Sequence, residues 1–391
     1  MRLLLEQEVV LDPDRLVQAW TEPNTFLFCP EKSAVSFDWL KARLDLVPSR
    51  YRSGAFALLT SGSTGLPKIV LGSRERAEAL ARRLHDVQSL ETVREALVTL
   101  PLSYSFAFVN QWIWAHVHGR RLVRTPGLTD LQALGANFMA AEAGLVCLVG
   151  AQLPRLAELT ESFPEIQRVC FAGGRFPTER LDVVARLFPA ATIYNNYGCA
   201  EAMPRLTVRR AEDASDGANV GRPLPAVQLR TEPGGEVCFR SPYGAVGFID
   251  EQGWHEIGAE DWVPTGDLGE LLPDGSLRLT GRASEVFKRY GEKVALPLLA
   301  QNLREAWHGE LAFYRECDEA GEDGHVLVLA PEAKPEAVRP ILRLLRARHP
   351  RACWPLRIEN VKALHLSANG KPDPAALAAL TDKQVLWRQG L

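Results

Sequence analysis

Between residues 54 and 200 the chain alternates short apolar runs with stretches of helical period, and this alternation restricts the fold more than any other feature. AFALLT (55–60), EALVTL (95–100), LVCLV (145–149), RVCFA (168–172) and TIYN (192–195) are apolar along most of their length, as strands buried on both faces must be. Between the first two lies SRERAEALARRLHDVQSL (73–90), in which Ala77, Leu80, Ala81, Leu84 and Val87 recur at helical spacing along one face. Ser73 is placed to cap that helix by accepting from a backbone N–H. TERLDVVARLF (178–188) reads as a second helix just before TIYN. Strand and helix in alternation imply a parallel sheet covered by helices.

After Glu201 the texture changes. VQLR (227–230), GEVCFR (235–240), DLGELL (267–272) and GSLRLT (275–280) are short strands broken by Gly and Pro, with a turn signal at Asp274-Gly275, and predict an antiparallel, barrel-like section. From Gly281 the pattern is mixed: a helix over 296–307, strands AFYRE (312–316) and HVLVLA (325–330), and a helix over 335–349 that Pro340 is expected to kink near its start. The fold class is therefore α/β. A large N-terminal domain, residues 1–280, combines a helix-covered, mostly parallel sheet with the barrel-like section, and a small α+β domain, residues 281–391, closes the chain.

Composition excludes more than it identifies. A composition of 46% hydrophobic and 24% charged residues is ordinary for a soluble globular protein, and 391 residues are enough for more than one core. A net charge of −3 argues against nucleic acid and acidic membrane surfaces as partners. The seven cysteines form no C-x-x-C pair, so neither a zinc site nor a disulfide framework is indicated. MRLLLEQEVVLDPD lacks a signal-peptide core and no apolar run approaches a membrane span, so a cytoplasmic location is expected.

The segment LLTSGSTGLPKIV (58–70) follows a strand with a burst of hydroxyls, glycines and one lysine. Glycines let the backbone approach phosphate oxygens closely, N–H groups and hydroxyls donate to them, and a lysine adds a point charge. The P-loop pattern G-x-x-x-x-G-K-[ST] fails here, because Gly65 is followed by Leu66-Pro67-Lys68 and no hydroxyl comes after the lysine. Taken alone, the stretch is equally consistent with a Ser/Gly-rich loop that holds no ligand.

Other segments decide between these. T-S-G-S-T-G-L-P-K resembles the phosphate loop of the adenylate-forming enzymes, which include acyl-CoA synthetases, nonribosomal-peptide adenylation domains and luciferases. Asn196-Tyr197-Gly198-Cys199-Ala200-Glu201 is similar to that family's N-Y-G-x-T-E segment, and Thr265-Gly266-Asp267 matches its T-G-D. Gly281-Arg282 with Lys288 and Gly291 fits its domain-junction motif, and Asn369-Gly370-Lys371 resembles its C-terminal catalytic-lysine motif. The order of the five is the family's own.

The resemblance implies a reaction in two halves. A carboxylate attacks the α-phosphate of ATP to give an acyl-adenylate and pyrophosphate, and a thiol then displaces AMP to give a thioester. Positioning and charge stabilisation would carry the rate. By resemblance, Thr60, Ser61, Gly62, Ser63, Thr64, Gly65 and Lys68 cradle the β and γ phosphates. Gly173, Gly174 and Arg175 form the adenine-side turn, and Asn196, Tyr197 and Gly198 the segment whose tyrosine stacks on adenine. Glu201 would hold Mg2+ as a hard oxygen ligand, Asp267 would accept from the ribose hydroxyls with Arg282 donating beside it, and Lys371 would be the mobile catalytic cation, with Lys68 and Glu201 completing the catalytic set.

The acid pocket is expected around PLSYSFAFVNQWIWAHVHG (101–119), with Tyr104, Phe106, Phe108, Trp112 and Trp114 as aromatic surface and Gly173, Cys199 and Ala200 beside it; a buried helix is the other reading of the two tryptophans. No Asp there awaits an α-amino group, so the substrate is expected to be a small aryl or acyl carboxylic acid. His116 and His118 lack a third ligand and read as structural. Coenzyme A is the expected acceptor. An acyl carrier protein is the other candidate, and the basic stretch Arg339, Arg343, Arg346, Arg348 and Arg351 offers it a surface.

Three departures from the family pattern stand out. Ala200 replaces a usual threonine, Ser284 stands where Asp or Lys commonly marks the hinge, and the phosphate loop begins at residue 60, which implies a reduced N-terminal subdomain. Apolar surface left by that reduction would favour a homodimer. The same departures make a non-catalytic homologue that only binds nucleotide or a partner the rival class.

Overall fold

The computed structural model describes residues 1–30, 35–60, 67–213, 216–366 and 372–389. The chain divides into two compact units, one formed by Met1–Thr265 with Glu270–Arg278 and the other by Gly266–Gly269 with Leu279–Leu391.

Two six-stranded sheets dominate the first unit. In one, Arg2–Leu5, Phe26–Cys29 and Ala55–Thr60 run parallel, and Lys68–Ser73, Gly247–Asp250 and Gly253–Glu256 continue it antiparallel. In the other the spatial order is Thr207–Arg210, Thr192–Tyr197, Ile166–Phe171, Gly144–Leu148, Glu95–Val98 and Arg121–Arg124, all parallel except the first, which pairs antiparallel at the edge. The expected apolar runs at 95–100, 145–149, 168–172 and 192–195 all fall on this second sheet.

AFALLT does not join it. Seven residues separate Ala55–Thr60 from Lys68–Ser73, too few for a parallel crossover, so the chain returns as an antiparallel hairpin with Thr60 opposite Lys68. The helix Arg74–Val87 then carries the chain onward. Ser73 caps it as expected, its hydroxyl accepting from the Arg76 N–H at 3.4 Å, and the helix buries Ala77, Leu80, Ala81 and Leu84 along one face.

The core of the second sheet is built from Leu97, Val146, Leu148, Val169 and Phe171 on the strands and Leu134, Phe138, Val184 and Leu187 on covering helices. Phe138, Phe163 and Phe188 meet there at centroid distances of 5.2–6.0 Å. Burying one such side chain is worth roughly 1.5–3 kcal/mol. A five-stranded sheet, ordered Asn219–Gly221, Leu277–Arg282, Val263–Leu271, Glu236–Arg240 and Gln228–Thr231, forms the section with barrel-like texture, and its outer pairs are antiparallel.

The second unit pairs Val286–Arg289 with Glu292–Ala295 and sets Glu310–Cys317, Asp323–Ala330, Arg357–Asn360 and Gln384–Arg388 side by side in a four-stranded mixed sheet. Leu299, Leu303, Ile341 and Leu345 from its helices pack on Leu327, Leu329 and Ile358 of that sheet. Pro340 does not kink the interior of a helix. The helix Val338–Arg348 begins two residues earlier, so the proline occupies the first turn, where its missing N–H has no intrahelical acceptor to satisfy.

Candidate active site

Ligands of open parallel sheets bind beyond the carboxyl ends of the strands, and the Gly173 turn and the Asn196–Glu201 segment lie at that edge of the second sheet. After Ile166–Phe171 the chain turns at Gly173, whose φ of +79° is left-handed; a Cβ there would lie 2.4 Å from the Tyr104 hydroxyl. Tyr104 reaches this turn from the loop after Glu95–Val98, and burial raises the pKa of its hydroxyl while Arg205 opposes the shift. A side chain at Gly174 would meet open space, and Arg175 points outward to Glu179 at 3.7 Å.

The next strand, Thr192–Tyr197, is longer than TIYN and so places Asn196 and Tyr197 on its last two positions. Asn196 is buried, its Oδ1 accepting from Gln88 Nε2 at 3.1 Å. The chain then folds back so tightly that a Cβ on Gly198 would sit 1.9 Å from the Pro204 carbonyl oxygen and 3.0 Å from Arg205 Cα. Glycine is required there by space. The return is fixed by the Leu206 N–H donating to the Tyr197 carbonyl at 2.8 Å. Cys199 and Ala200 are half-buried, and a short 3-10 turn, Ala200–Ala202, presents Glu201.

Glu201 meets Lys68. The ammonium Nζ donates to Glu201 Oε1 at 2.8 Å and lies 4.4 Å from the centre of the Phe248 ring. Both side chains keep solvent access, 27% for Lys68 and 16% for Glu201. The Ala245 N–H donates to the Glu201 carbonyl at 2.8 Å, which pins the turn, and the Thr60 hydroxyl donates to the Lys68 carbonyl at 3.3 Å. Ser61, Gly62, Ser63, Thr64, Gly65 and Lys371 lie outside the described residues. In the second unit Arg282 Nε meets Asp267 Oδ1 at 2.8 Å, with the Asp267 side chain 10% exposed.

At Trp112 the structure shows the packing of a buried helix. Residues 108–113 form a π-helical turn, and Trp112 is only 6% exposed. Its ring stacks on Phe108 at 5.4 Å and His116 at 5.2 Å and meets Trp20 edge-on at 5.4 Å, so its surface is taken up by core packing. Phe108 and Trp114 are likewise buried. His118 stacks on His85 at 4.0 Å, and the described residues contain no cluster of three or more metal-ligating side chains. Phe106 is buried too, but it packs between Tyr104 and a residue that motif reading passed over. Arg205 is 1% exposed, with its guanidinium 5.1 Å from the Phe106 ring centre and donating to Asn110 Oδ1 at 3.0 Å. No spacing rule marks it; only the tight turn at Gly198 brings it in.

The profile of the AMP-binding enzyme family matches residues 6–248, more than half of the 391. The chain belongs to the AMP-binding enzyme family. A salicylyl-CoA synthase / salicylate adenylyltransferase from Streptomyces sp is 28% identical to this AMP-binding chain over 274 residues, covering 65% of it and 49% of the relative. A non-ribosomal peptide synthetase, CmlP, from Streptomyces venezuelae is 29% identical over 353 residues, covering 85% of this chain and 35% of that one. The chain thus spans half or less of the length of these relatives. Among solved structures, an O-succinylbenzoate coenzyme A synthetase from Bacillus subtilis in complex with AMP superimposes with a TM-score of 0.69 at 18% identity, covering all of this chain and 84% of that one. The fold is that of the adenylate-forming enzymes. Among the described residues no helix is long and apolar enough to cross a membrane.

Proposed function

We propose that this chain activates an aryl or acyl carboxylic acid with ATP, forming an acyl-adenylate and pyrophosphate, and then passes the acyl group to a thiol, coenzyme A first among candidates. The observation that carries the reading is the Lys68–Glu201 pair. It joins the end of the phosphate-loop motif to the end of the N-Y-G-C-A-E motif, 133 positions apart, with both charges still open to solvent. A cation and a carboxylate side by side suit a metal-bound triphosphate, the lysine toward the β and γ phosphates and the glutamate toward Mg2+.

The donor set fits that ion. Magnesium keeps several waters and binds through one or two carboxylates plus phosphate oxygens, and Glu201 is one hard carboxylate with no metal-ligating cluster around it among the described residues. Bound there, the ion would neutralise charge on the departing pyrophosphate. Gly173, Gly174, Asn196, Tyr197 and Gly198 are the candidates to hold adenine. Asp267 and Arg282 are those for the ribose, and Lys371 is that for the α-phosphate and the acid as charge develops. The Asp267–Arg282 pair sets a carboxylate acceptor beside a guanidinium donor, and a ribose hydroxyl can use both kinds of partner.

A carrier-protein acceptor is the second reading, and one observation favours it. Arg339, Arg343 and Arg346 are exposed at successive turns of the helix Val338–Arg348 and form a basic stripe suited to an acidic partner.

ATP–pyrophosphate exchange with pooled benzoate-type, fatty and amino acids tests the proposal, with Lys371→Ala as control. Exchange that depends on one acid and collapses in the control is expected. ATP binding without exchange for any pool would refute it in favour of a nucleotide-binding protein that activates no acid.

A further inference from the structure

Arg205 is a buried cation without a counter-ion. Among the described residues it takes part in no ion pair, whereas Arg289, 3% exposed, meets Asp318 at 3.1 Å. Removing a guanidinium from water is costly unless a charge or a full set of acceptors replaces the solvent. Here the replacements are one amide oxygen, from Asn110, and the face of Phe106. The ionisable groups in its field are the Cys147 and Cys170 thiols and the Tyr104 hydroxyl, all weak acids. Burial lowers its pKa only to about 10, so the charge persists at neutral pH.

The buried polar atoms left over on Arg205, Asn110 and Asn196 are all donors, while Gln111, next to Asn110, keeps an unpaired Oε1 acceptor. Arg205 Nε, Asn110 Nδ2 and Asn196 Nδ2 are buried and have no hydrogen-bond partner. Each is an N–H donor. Asn110 uses its oxygen on Arg205, and Asn196 uses its oxygen on Gln88, so both amides keep only donors to offer. Arg205 backs directly on Gly198, and Phe106 and Tyr104 link it to the Gly173 turn. A cation with surplus donors at this edge of the sheet lacks one thing, an anionic acceptor.

We propose that Arg205, with the side-chain amides of Asn110 and Asn196, anchors a second acidic group of the substrate, so that the acid activated here is a dicarboxylic acid. This rests on the acid-activating function proposed above and adds the substrate class. One carboxylate is held in the donor-rich floor, and the other is left free to attack ATP. The apolar middle of the acid runs along Tyr104 and Phe106. Arg205 touches the substrate away from the reacting atoms and sets specificity, not chemistry.

The test compares matched acids, benzoate with isophthalate and hexanoate with adipate. Calorimetric binding and ATP–pyrophosphate exchange are measured for the wild type, Arg205→Lys and Arg205→Met. The di-acid of each favoured pair is expected to bind and exchange about 10- to 100-fold better than its mono-acid, the range a charge-assisted contact supplies. Arg205→Met should abolish that preference through KM, and Arg205→Lys should restore part of it. A wild type that favours mono-acids, or does not discriminate, overturns the inference whether or not the variants fold. So does a wild-type ultraviolet thiolate band that disappears in Cys170→Ser, because Arg205 would then already have its anion. Absence of exchange with every acid defeats the acid-activating function itself, whereas equal exchange with both members of each pair defeats only the assignment of Arg205.

Discussion

His325 lies in the middle of Asp323–Ala330, fully buried, with its ring 6.1 Å from Phe287 and 5.4 Å from Phe313, both edge-on. Neither ring nitrogen has a hydrogen-bond partner. Burial, with Arg289 and Arg315 adding to it, lowers its pKa from 6.5 to about 3. The folded chain therefore keeps this imidazole neutral where the unfolded chain protonates it. The resulting stability is fully present above pH 6.5 and drains away as pH falls toward 3. At about 1.36 kcal/mol per unit, the loss two units below the unfolded pKa is roughly 3 kcal/mol, a large part of an ordinary folding free energy. Replacing His325 by Leu removes the titration and keeps the volume similar. Urea unfolding of the full chain near pH 7.5 and pH 4.5, with amide exchange read on residues 323–330, checks this. The stability difference between variant and wild type should move by about 2–3 kcal/mol in favour of the variant at the lower pH. Carboxylates that titrate in the same range cancel in that difference. A difference that stays flat across the range would refute the reasoning.

Lys68→Met should leave stability within about 1 kcal/mol, because a part-exposed ion pair is weak, while pyrophosphate exchange falls by about 10²–10³-fold. Gly198→Ala is expected to cost about 1–3 kcal/mol or more in thermal or urea unfolding, since its Cβ meets the Pro204 carbonyl at 1.9 Å. Gly174→Ala, where nothing lies within 4 Å, should stay within about 0.5 kcal/mol in the same measurement. Trp112→Ala should lose about 3–5 kcal/mol by leaving a cavity between Trp20 and Phe108, with the order of preferred acids unchanged in exchange assays.

The strand Ala55–Thr60 was legible from its continuous apolar run, and the Ser73 cap from a contact made within three residues. The sheet to which that strand belongs was not. Phe26–Cys29 beside that strand and Gly247–Asp250 beside Lys68–Ser73 come from distant parts of the chain, and an apolar run carries no record of its neighbours. Thr60, Lys68, Gly198 and Glu201 could be singled out because a backbone turn or a charge there is part of a contiguous pattern. Trp112 could not be assigned, since an aromatic at helical spacing looks the same whether it lines a pocket or fills a core. Arg205 was missed for the opposite reason. Its significance lies in the counter-charge it lacks, which is a property of its surroundings and not of its neighbours in sequence.

The way the chain is divided bears on how it can be cut. The second unit takes four residues, Gly266–Gly269, from the middle of the strand Val263–Leu271 before it takes everything from Leu279 onward. Asp267 thus belongs with Arg282 in space but is separated from it by Glu270–Arg278 of the other unit. A chimera joined anywhere in 270–278 would inherit the aspartate from one parent and the arginine from the other. Grafting the C-terminal part of a relative onto this chain is therefore a two-segment exchange, with residues 266–269 transplanted alongside it.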